Sequence, residues 1–356
     1  LYLMNGESTE ALQTAQQAVD LNPEQDRAWT TLGFAQLNAD DAAVAQQTFE
    51  RALSLNSFNS QNHLGLGLSK IRQNELIKGR QNLETAALLE PTNALLRSYL
   101  GKAYFAENRN PLVYDQLQLA KQHDSADPTP WFYEATTLLD DNRLIEARAS
   151  MEKSIELNDN RAVYRSGLLL DDDQASRSTA LASIYNTLGF EQEIIGPATS
   201  ALNQSPHNAG AHRLLADAYQ GRYQLSLARR NELLQAQLYA PIGQKLIPAQ
   251  TLLGSSRLLE EGGPLTGGYN EYNSAFLQSG GFANVSAKVG DQGTQEGEVI
   301  AGFIDRTAAL QASVYHMETE GENPDLNAYA TDVATLGLSW QVTPTIQLQL
   351  NHHDSD

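Results

Sequence analysis

The chain contains no cysteine, which removes disulfide frameworks, thiolate metal sites and cysteine nucleophiles together. That absence also suits an oxidising compartment. Basic residues are scarce, with 24 Lys and Arg against 43 Asp and Glu and a formal charge of -19. Phosphate neutralisation needs clustered cations, so nucleic acid is not an expected partner and cationic partners fit better. No stretch approaches the ~18 consecutive apolar residues of a membrane-spanning helix, although a β-barrel span would leave no such stretch. Gly-rich phosphate loops, Gly-x-Ser-x-Gly elbows and His-Glu-x-x-His helices are also missing. The chain therefore reads as a non-enzyme with no catalytic residue, cofactor or metal.

What is present is a period of 34 residues across most of the first 240. Trp29-x-x-Leu32-Gly33 with Ala45, Phe49 and Ala52 is followed by His63-x-x-Leu66-Gly67 with Gly79, Leu83, Ala86 and Pro91. Leu100-Gly101-x-x-Tyr104 with Leu117 and Ala120 comes next, then Trp131, Ala135, Leu138, Ala147 and Met151. Upstream, Tyr2, Ala11, Ala15, Ala18 and Pro23 keep the same register, so the first unit begins midway through its first helix. The period breaks after Asn160, which places an insertion at 161–174. It resumes with Leu181, Ala182, Tyr185, Gly189, Ala198, Ala201 and Pro206, and again with Leu215, Ala216, Tyr219 and Ala228. Small residues at Gly33, Ala45 and Ala52 let two helices approach closely, Leu32 and Phe49 fill the seam, and Pro23, Pro91 and Pro206 stop the second helix. The expected fold over 1–241 is an all-α right-handed solenoid of about six and a half units, each resting on its neighbours.

Past Pro241 the helical period disappears. Pro248, Gly262-Gly263-Pro264 and Gly267-Gly268 mark 242–280 as a connector, with one short helix or strand at 251–260. Over 281–356 the pattern alternates, beginning with Ala283, Val285, Ala287 and Val289 against Asn284, Ser286 and Lys288. Further strands are expected at 298–304, 309–317, 336–342 and 346–350, an antiparallel β-meander with a long loop at 321–332. One face is apolar and the other carries small or amide side chains, the division a transmembrane barrel makes between lipid and lumen. A soluble sheet with one face on a core is the alternative. Five strands do not close a barrel, which needs about eight, so further strands after Asp356 or strands from another chain are expected. Trp340, Tyr315, Phe303 and Phe282 are candidates for an interfacial aromatic girdle. Asp171-Asp172-Asp173 lacks the ligand spacing of a calcium loop, and His352-His353 point to opposite faces of a strand, so neither is expected to bind metal.

The repeated pattern closely resembles the tetratricopeptide repeat, with its Trp-x-x-Leu-Gly-x-x-Tyr start, later Ala and aromatic positions, and terminal Pro. The order of solenoid then strands is similar to exporters of poly-N-acetylglucosamine and cellulose. A closer likeness is to poorly characterised Gram-negative tetratricopeptide proteins with a C-terminal outer-membrane β-barrel. It is carried by Arg161-Ala162-Val163-Tyr164-Arg165-Ser166, Tyr269-Asn270-Glu271-Tyr272-Asn273 and Tyr315-His316-Met317-Glu318-Thr319. The resemblance implies a concave partner-binding face at Phe34, Asn38, Leu68, Arg72, Lys102, Phe105, Phe132, Thr136, Arg213 and Asp217. It implies a periplasmic solenoid anchored in the outer membrane that binds protein partners or guides a secreted polysaccharide toward a barrel, with homo-oligomers a further expectation. The alternative function is a soluble or surface-displayed scaffold that assembles with itself or other proteins.

Overall fold

The computed structural model describes Tyr2 and residues 7–39, 41–158, 170–220, 222–239, 280–305, 307–321, 328–343 and 346–355. After α1 (Ser8–Leu21) the helices run in packed pairs. These are α2 (Asp26–Asn38) with α3 (Ala42–Leu55), α4 (Ser60–Arg72) with α5 (Leu76–Leu89), α6 (Ala94–Ala106) with α7 (Asn110–His123), and α8 (Thr129–Asp140) with α9 (Leu144–Leu157). Then come α10 (Leu170–Thr187) with α11 (Glu191–Gln204) and α12 (Ala209–Ala218) with α13 (Ser226–Tyr239). The helices also contact the next pair along, and the buried apolar clusters follow one another along the array, the largest running from Leu37 to Ile184.

The local causes repeat with the sequence. In α3 the buried residues Ala42, Ala45, Thr48, Phe49 and Ala52 fall at helical spacing on one face. Asn59, Asn93 and Asn208 cap α4, α6 and α12, each side-chain oxygen accepting first-turn backbone N–H groups. Within a pair the chain reverses through a left-handed residue, Asn74, Asn108, Asn142 and then Gly189. Asn and Gly are the residues that tolerate this conformation. The last of those steps is thirteen residues longer than the two before it.

Neighbouring units are tied by a polar ladder as well as by packing. The Asp26 carboxylate accepts from the Asn56 and Asn59 amides, both at 2.9 Å. One unit along, Ser60 Oγ donates to Glu90 at 2.5 Å and Asn93 Nδ2 donates to the same carboxylate at 2.9 Å. The Asn59 bond holds Asp26 below the usual carboxylate range, and the Ser60 bond does the same for Glu90.

A second regularity lies at the unit's fourth position. Trp29 Nε1 donates to Pro23 O at 2.7 Å, and Arg97 Nε donates to Pro91 O at 3.0 Å. His63 Nε2 lies 2.9 Å from Ser57 O and His212 Nε2 lies 3.0 Å from Pro206 O. A carbonyl only accepts, so each imidazole donates there. At these four positions the common property of Trp, His and Arg is an N–H that reaches back to the carbonyl six residues earlier, a bond that Trp131 in the same register does not make.

Of the insertion expected at 161–174, residues 161–169 lie outside the described residues, and 170–174 form the start of α10. On α10, the fully buried Arg177 donates to Pro128 O at 3.2 Å and to Ser154 Oγ, and its guanidinium sits 5.1 Å from the Phe132 ring centre. α10 contributes Ala180 and Ile184 to the core of the preceding units and Ala175 and Ala182 to that of the following ones. The register break is thereby spanned by one helix.

The connector expected at 242–280 lies outside the described residues except for Gly280, which opens the first strand, and so does the element expected at 251–260. Strands β1 (Gly280–Val289), β2 (Gln295–Ile304), β3 (Ala308–Thr319), β4 (Tyr329–Thr343) and β5 (Ile346–Ser355) form one antiparallel meander in sequence order. The alternation underestimates these strands. β4 begins at Tyr329, inside the loop expected at 321–332, and β5 runs on to Ser355. The reason is charge on an outward strand position: Asp332 pairs with His316 across β3 and β4 at 2.8 Å, which breaks the apolar pattern without breaking the ladder.

Candidate interaction surfaces

The expected partner-binding positions lie on α2, α4, α6, α8 and α12. Phe34 and Thr136 are half-buried, and Asn38 is exposed. Phe34 meets Phe49 edge-on at 5.0 Å, Thr136 donates to Tyr133 O, and Asn38 Nδ2 donates to Ser8 Oγ at 3.1 Å. Lys102 is half-buried with its ammonium 5.2 Å from the Phe105 ring centre and 5.8 Å from that of Tyr133.

The remaining positions are interior. Leu68, Arg72 and Phe105 are buried, and Phe132 is 1% exposed with its ring against Tyr133 at 5.5 Å. Arg213 and Asp217 are buried together as an ion pair, Nη2 to Oδ1 at 3.0 Å. The close stacking of units turns these side chains into the seam between neighbouring first helices. Lys102, Phe105 and Phe132 form one cluster around Tyr133, a residue the pattern did not single out, and Arg213 and Asp217 form a separate pair.

Behind this face a second cationic cluster joins three helices. Lys121 Nζ is 2.5 Å from the Glu134 carboxylate and 3.6 Å from the Trp131 ring centre, and Ser150 Oγ donates to Glu134 at 2.7 Å. Burial pushes the Lys121 ammonium below its ordinary range, with Glu134 opposing the shift. Tyr104 is pushed up to about 12 by burial, reinforced by its hydrogen bond to Glu84. Among the described residues no group of three or more His, Asp or Glu side chains is placed to hold a metal ion.

The sheet is built inside out. Its buried face carries Glu298, Gln311, Ser313, Tyr315, Thr331, Val333 and Ser339, with Ser339 0% exposed and Ser313 bonded to Thr335 at 2.6 Å. Its exposed face carries Val285, Val289, Val299, Phe303, Leu310, Val314, Leu336, Leu338, Trp340, Leu348 and Leu350, the last 68% exposed. The principal packing partners of each strand are other strands. Tyr315 turns to the buried face, away from Phe303 and Trp340, so it does not belong to an outward aromatic girdle with them. The side chain of Phe282 lies outside the described residues. Among the described residues no helix is long and apolar enough to cross a membrane.

No family model matches the chain, and no curated protein matches it. Solved structures do. The APC/C hetero-tetramer Cut9–Hcn1 is similar at a TM-score of 0.60 and 17% identity, over 70% of this chain and 46% of that one. Yeast Tom70 has a TM-score of 0.49 at 16% identity over 71% and 57%, and Pseudomonas aeruginosa pilF one of 0.47 at 17% over 63% and 91%. The chain thus spans 46% of the length of the Cut9–Hcn1 chain it matches. The likeness is one of fold: the helical part is a tetratricopeptide-like solenoid, and an antiparallel sheet follows it.

Proposed function

We propose that this protein is a non-catalytic interaction scaffold, its repeat solenoid held in the periplasm of a Gram-negative cell by strands that belong to an outer-membrane barrel. The observation that carries the membrane part is the inverted sheet. Leaving Val285, Val299, Leu336, Leu338 and Leu350 in water while hydroxyl and amide groups are covered is unfavourable by about 25 cal/mol for each Å² of apolar surface. Hydrocarbon around the sheet removes that cost.

For the solenoid, protein partners are favoured over a secreted polysaccharide. A sugar chain stacks on open aromatic faces, whereas Phe132 is 1% and Phe105 7% exposed. The accessible groups Asn38, Lys102 and Thr136 offer the amide, ammonium and hydroxyl contacts that a peptide takes.

Fractionation of the native cell tests the anchoring. The protein is expected in the outer-membrane fraction after a carbonate wash, released only by detergent and migrating differently when heated before electrophoresis. Recovery in the soluble periplasmic or cytoplasmic fraction would leave the alternative, a soluble scaffold whose apolar sheet face packs on protein.

A further inference from the structure

The second helix of each unit is joined to the turn of the following unit by a polar rung that repeats with the sequence. Gln73 Nε2 donates to Gln46 at 2.8 Å, Arg80 Nε donates to Glu107 at 2.8 Å, and the Tyr114 hydroxyl donates to Asp141 at 2.6 Å. The turn partner is each time the residue just before the left-handed one, Asn74, Asn108 or Asn142. At the next step that residue is Leu188, before Gly189, and the second-helix position is Arg148. A leucine side chain accepts nothing. Arg148 Nε is shielded from water and has no hydrogen-bond acceptor among the described residues, with Glu152 standing 3.7 Å away.

The same place one step earlier, between α5 and the α6–α7 turn, shows what a complete arrangement holds. Arg80 pairs with Glu84 at 2.6 Å as well as with Glu107, and the Tyr104 hydroxyl donates to Glu84 at 2.7 Å. The Arg109 guanidinium lies 4.9 Å from the Tyr104 ring centre and reaches Glu107 at 3.5 Å. At the break, Arg148, Glu152 and Tyr185 restate Arg80, Glu84 and Tyr104, with the Tyr185 hydroxyl 3.4 Å from Glu152. Leu188 and Phe190 stand where Glu107 and Arg109 stood. The backbone follows the same path, since the Phe190 N–H bonds to Tyr185 O at 2.9 Å as the Arg109 N–H bonds to Tyr104 O at 3.0 Å. What is missing is the carboxylate and the guanidinium.

In their place is a cleft of about 590 Å³, with Arg148, Tyr185, Phe190, Glu191 and Glu193 in its walls. Phe190 is 50% exposed there, and the Arg148 side chain is 41% exposed. Burial pushes the Tyr185 hydroxyl above its ordinary range; Glu152 and Glu193 add to the shift and Arg148 opposes it, so these three charges stand near that ring. Carboxylates outnumber the guanidinium. Glu191 and Glu193 also complement the dipole of α11 from its first turn, but that role leaves the open rung unfilled. We infer that this cleft binds an arginine side chain of a partner protein, its guanidinium lying on the Tyr185 ring beside Glu152 and Glu193 while a backbone carbonyl of the same segment accepts from the Arg148 guanidinium. One incoming residue thus supplies both the acceptor and the cation that Glu107 and Arg109 supply from within the chain. This names the partner chemistry of the interaction scaffold proposed above and rests on that reading.

The test uses the full-length protein and two fluorescent peptides, Gly-Ser-Arg-Ser-Gly and the same peptide with citrulline, which keeps the shape of arginine and removes its charge. Anisotropy is expected to show saturable binding of the arginine peptide, tighter than the citrulline peptide by about tenfold or more. Phe190→Arg places a guanidinium beside Tyr185 from within, as Arg109 does beside Tyr104, and should weaken binding by about tenfold or more. Thr92→Arg adds the same charge to an exposed turn of another unit and should change binding by less than about twofold. Glu193→Gln, exposed on α11, should weaken binding without altering the Phe190 wall. Equal binding of the two peptides, or equal loss in Phe190→Arg and Thr92→Arg, would mean general attraction to an acidic chain and overturn the cleft. Binding that survives both Phe190→Arg and Glu193→Gln would overturn it as well. So would the absence of binding by parent protein of intact helical circular dichroism, a result that leaves the scaffold reading standing on Asn38, Lys102 and Thr136 of other helices.

Discussion

Phe49 is fully buried in α3 and stands between two glycines of neighbouring first helices, Gly33 on α2 and Gly65 on α4. A Cβ at Gly33 would sit 2.7 Å from ring atoms Cε1 and Cζ, and one at Gly65 would fall inside the ring's van der Waals envelope. Gly65→Ala is therefore a substitution in which two effects oppose. In a helix interior Ala is favoured over Gly by about 1 kcal/mol. Against that, the ring cannot retreat from Gly65, because Gly33 and the edge-on Phe34 close the other side. Overpacking costs about 1–3 kcal/mol, and expelling the ring forfeits about 3–5 kcal/mol of buried aromatic packing. With little room to relax, the expected net loss is about 2–4 kcal/mol. The assay is urea unfolding followed by helical circular dichroism and by Trp29 fluorescence, comparing midpoints because a repeat array need not unfold in one step. Phe49→Leu should partly rescue Gly65→Ala, leaving the double variant more stable than the sum of the single losses. A Gly65→Ala protein as stable as the parent would refute this packing.

Three other outcomes follow from the solenoid. Asn108→Val is expected to cost about 1–2 kcal/mol and Asn108→Gly almost nothing, because the residue sits at φ 56, and thermal midpoints check both. Glu134→Gln should destabilise by about 1–3 kcal/mol by leaving Lys121 partly buried without its carboxylate, whereas Lys121→Met with Glu134→Gln should be near neutral, read through Trp131 fluorescence. The pH dependence of Glu90 has a definite sign. Its folded carboxyl is depressed, so its contribution is full above the unfolded carboxylate value and is lost as pH falls through the depressed one. Ser60→Ala should therefore lower the urea midpoint at neutral pH and converge on the parent in acid, and a constant difference would count against the linkage.

The repeats were legible because each unit restates one pattern, so a weak match at His63 or Arg97 is supported by a strong one at Trp29. What that pattern conceals is the chemistry of its own fourth position, where the signal is a donor N–H and the consensus names an aromatic ring. Gly65 was illegible for a related reason. It lies outside the motif, and only the position of Phe49 on the preceding unit requires it. The groove positions at Arg213 and Asp217 are correctly placed on a first helix, but their mutual ion pair depends on how deeply neighbouring units stack, which spacing does not report.

The sheet presents the opposite case, a pattern that could be read but not oriented. Alternation fixes which residues share a face, and it is unchanged when the two faces exchange roles. Val299, Leu336 and Leu338 were legible as one surface, yet the same sequence serves a sheet resting on a protein core and one standing in lipid. Burial removes that symmetry, because Ser313 and Ser339 are covered while Val289 is 86% exposed. The polar residues that hid the true ends of β4 and β5 then become informative. His316, Asp332 and His352 are misplaced for a strand read alone, yet His316 and Asp332 are direct cross-strand partners and His352 lies two rows lower on β5, all within an unbroken ladder.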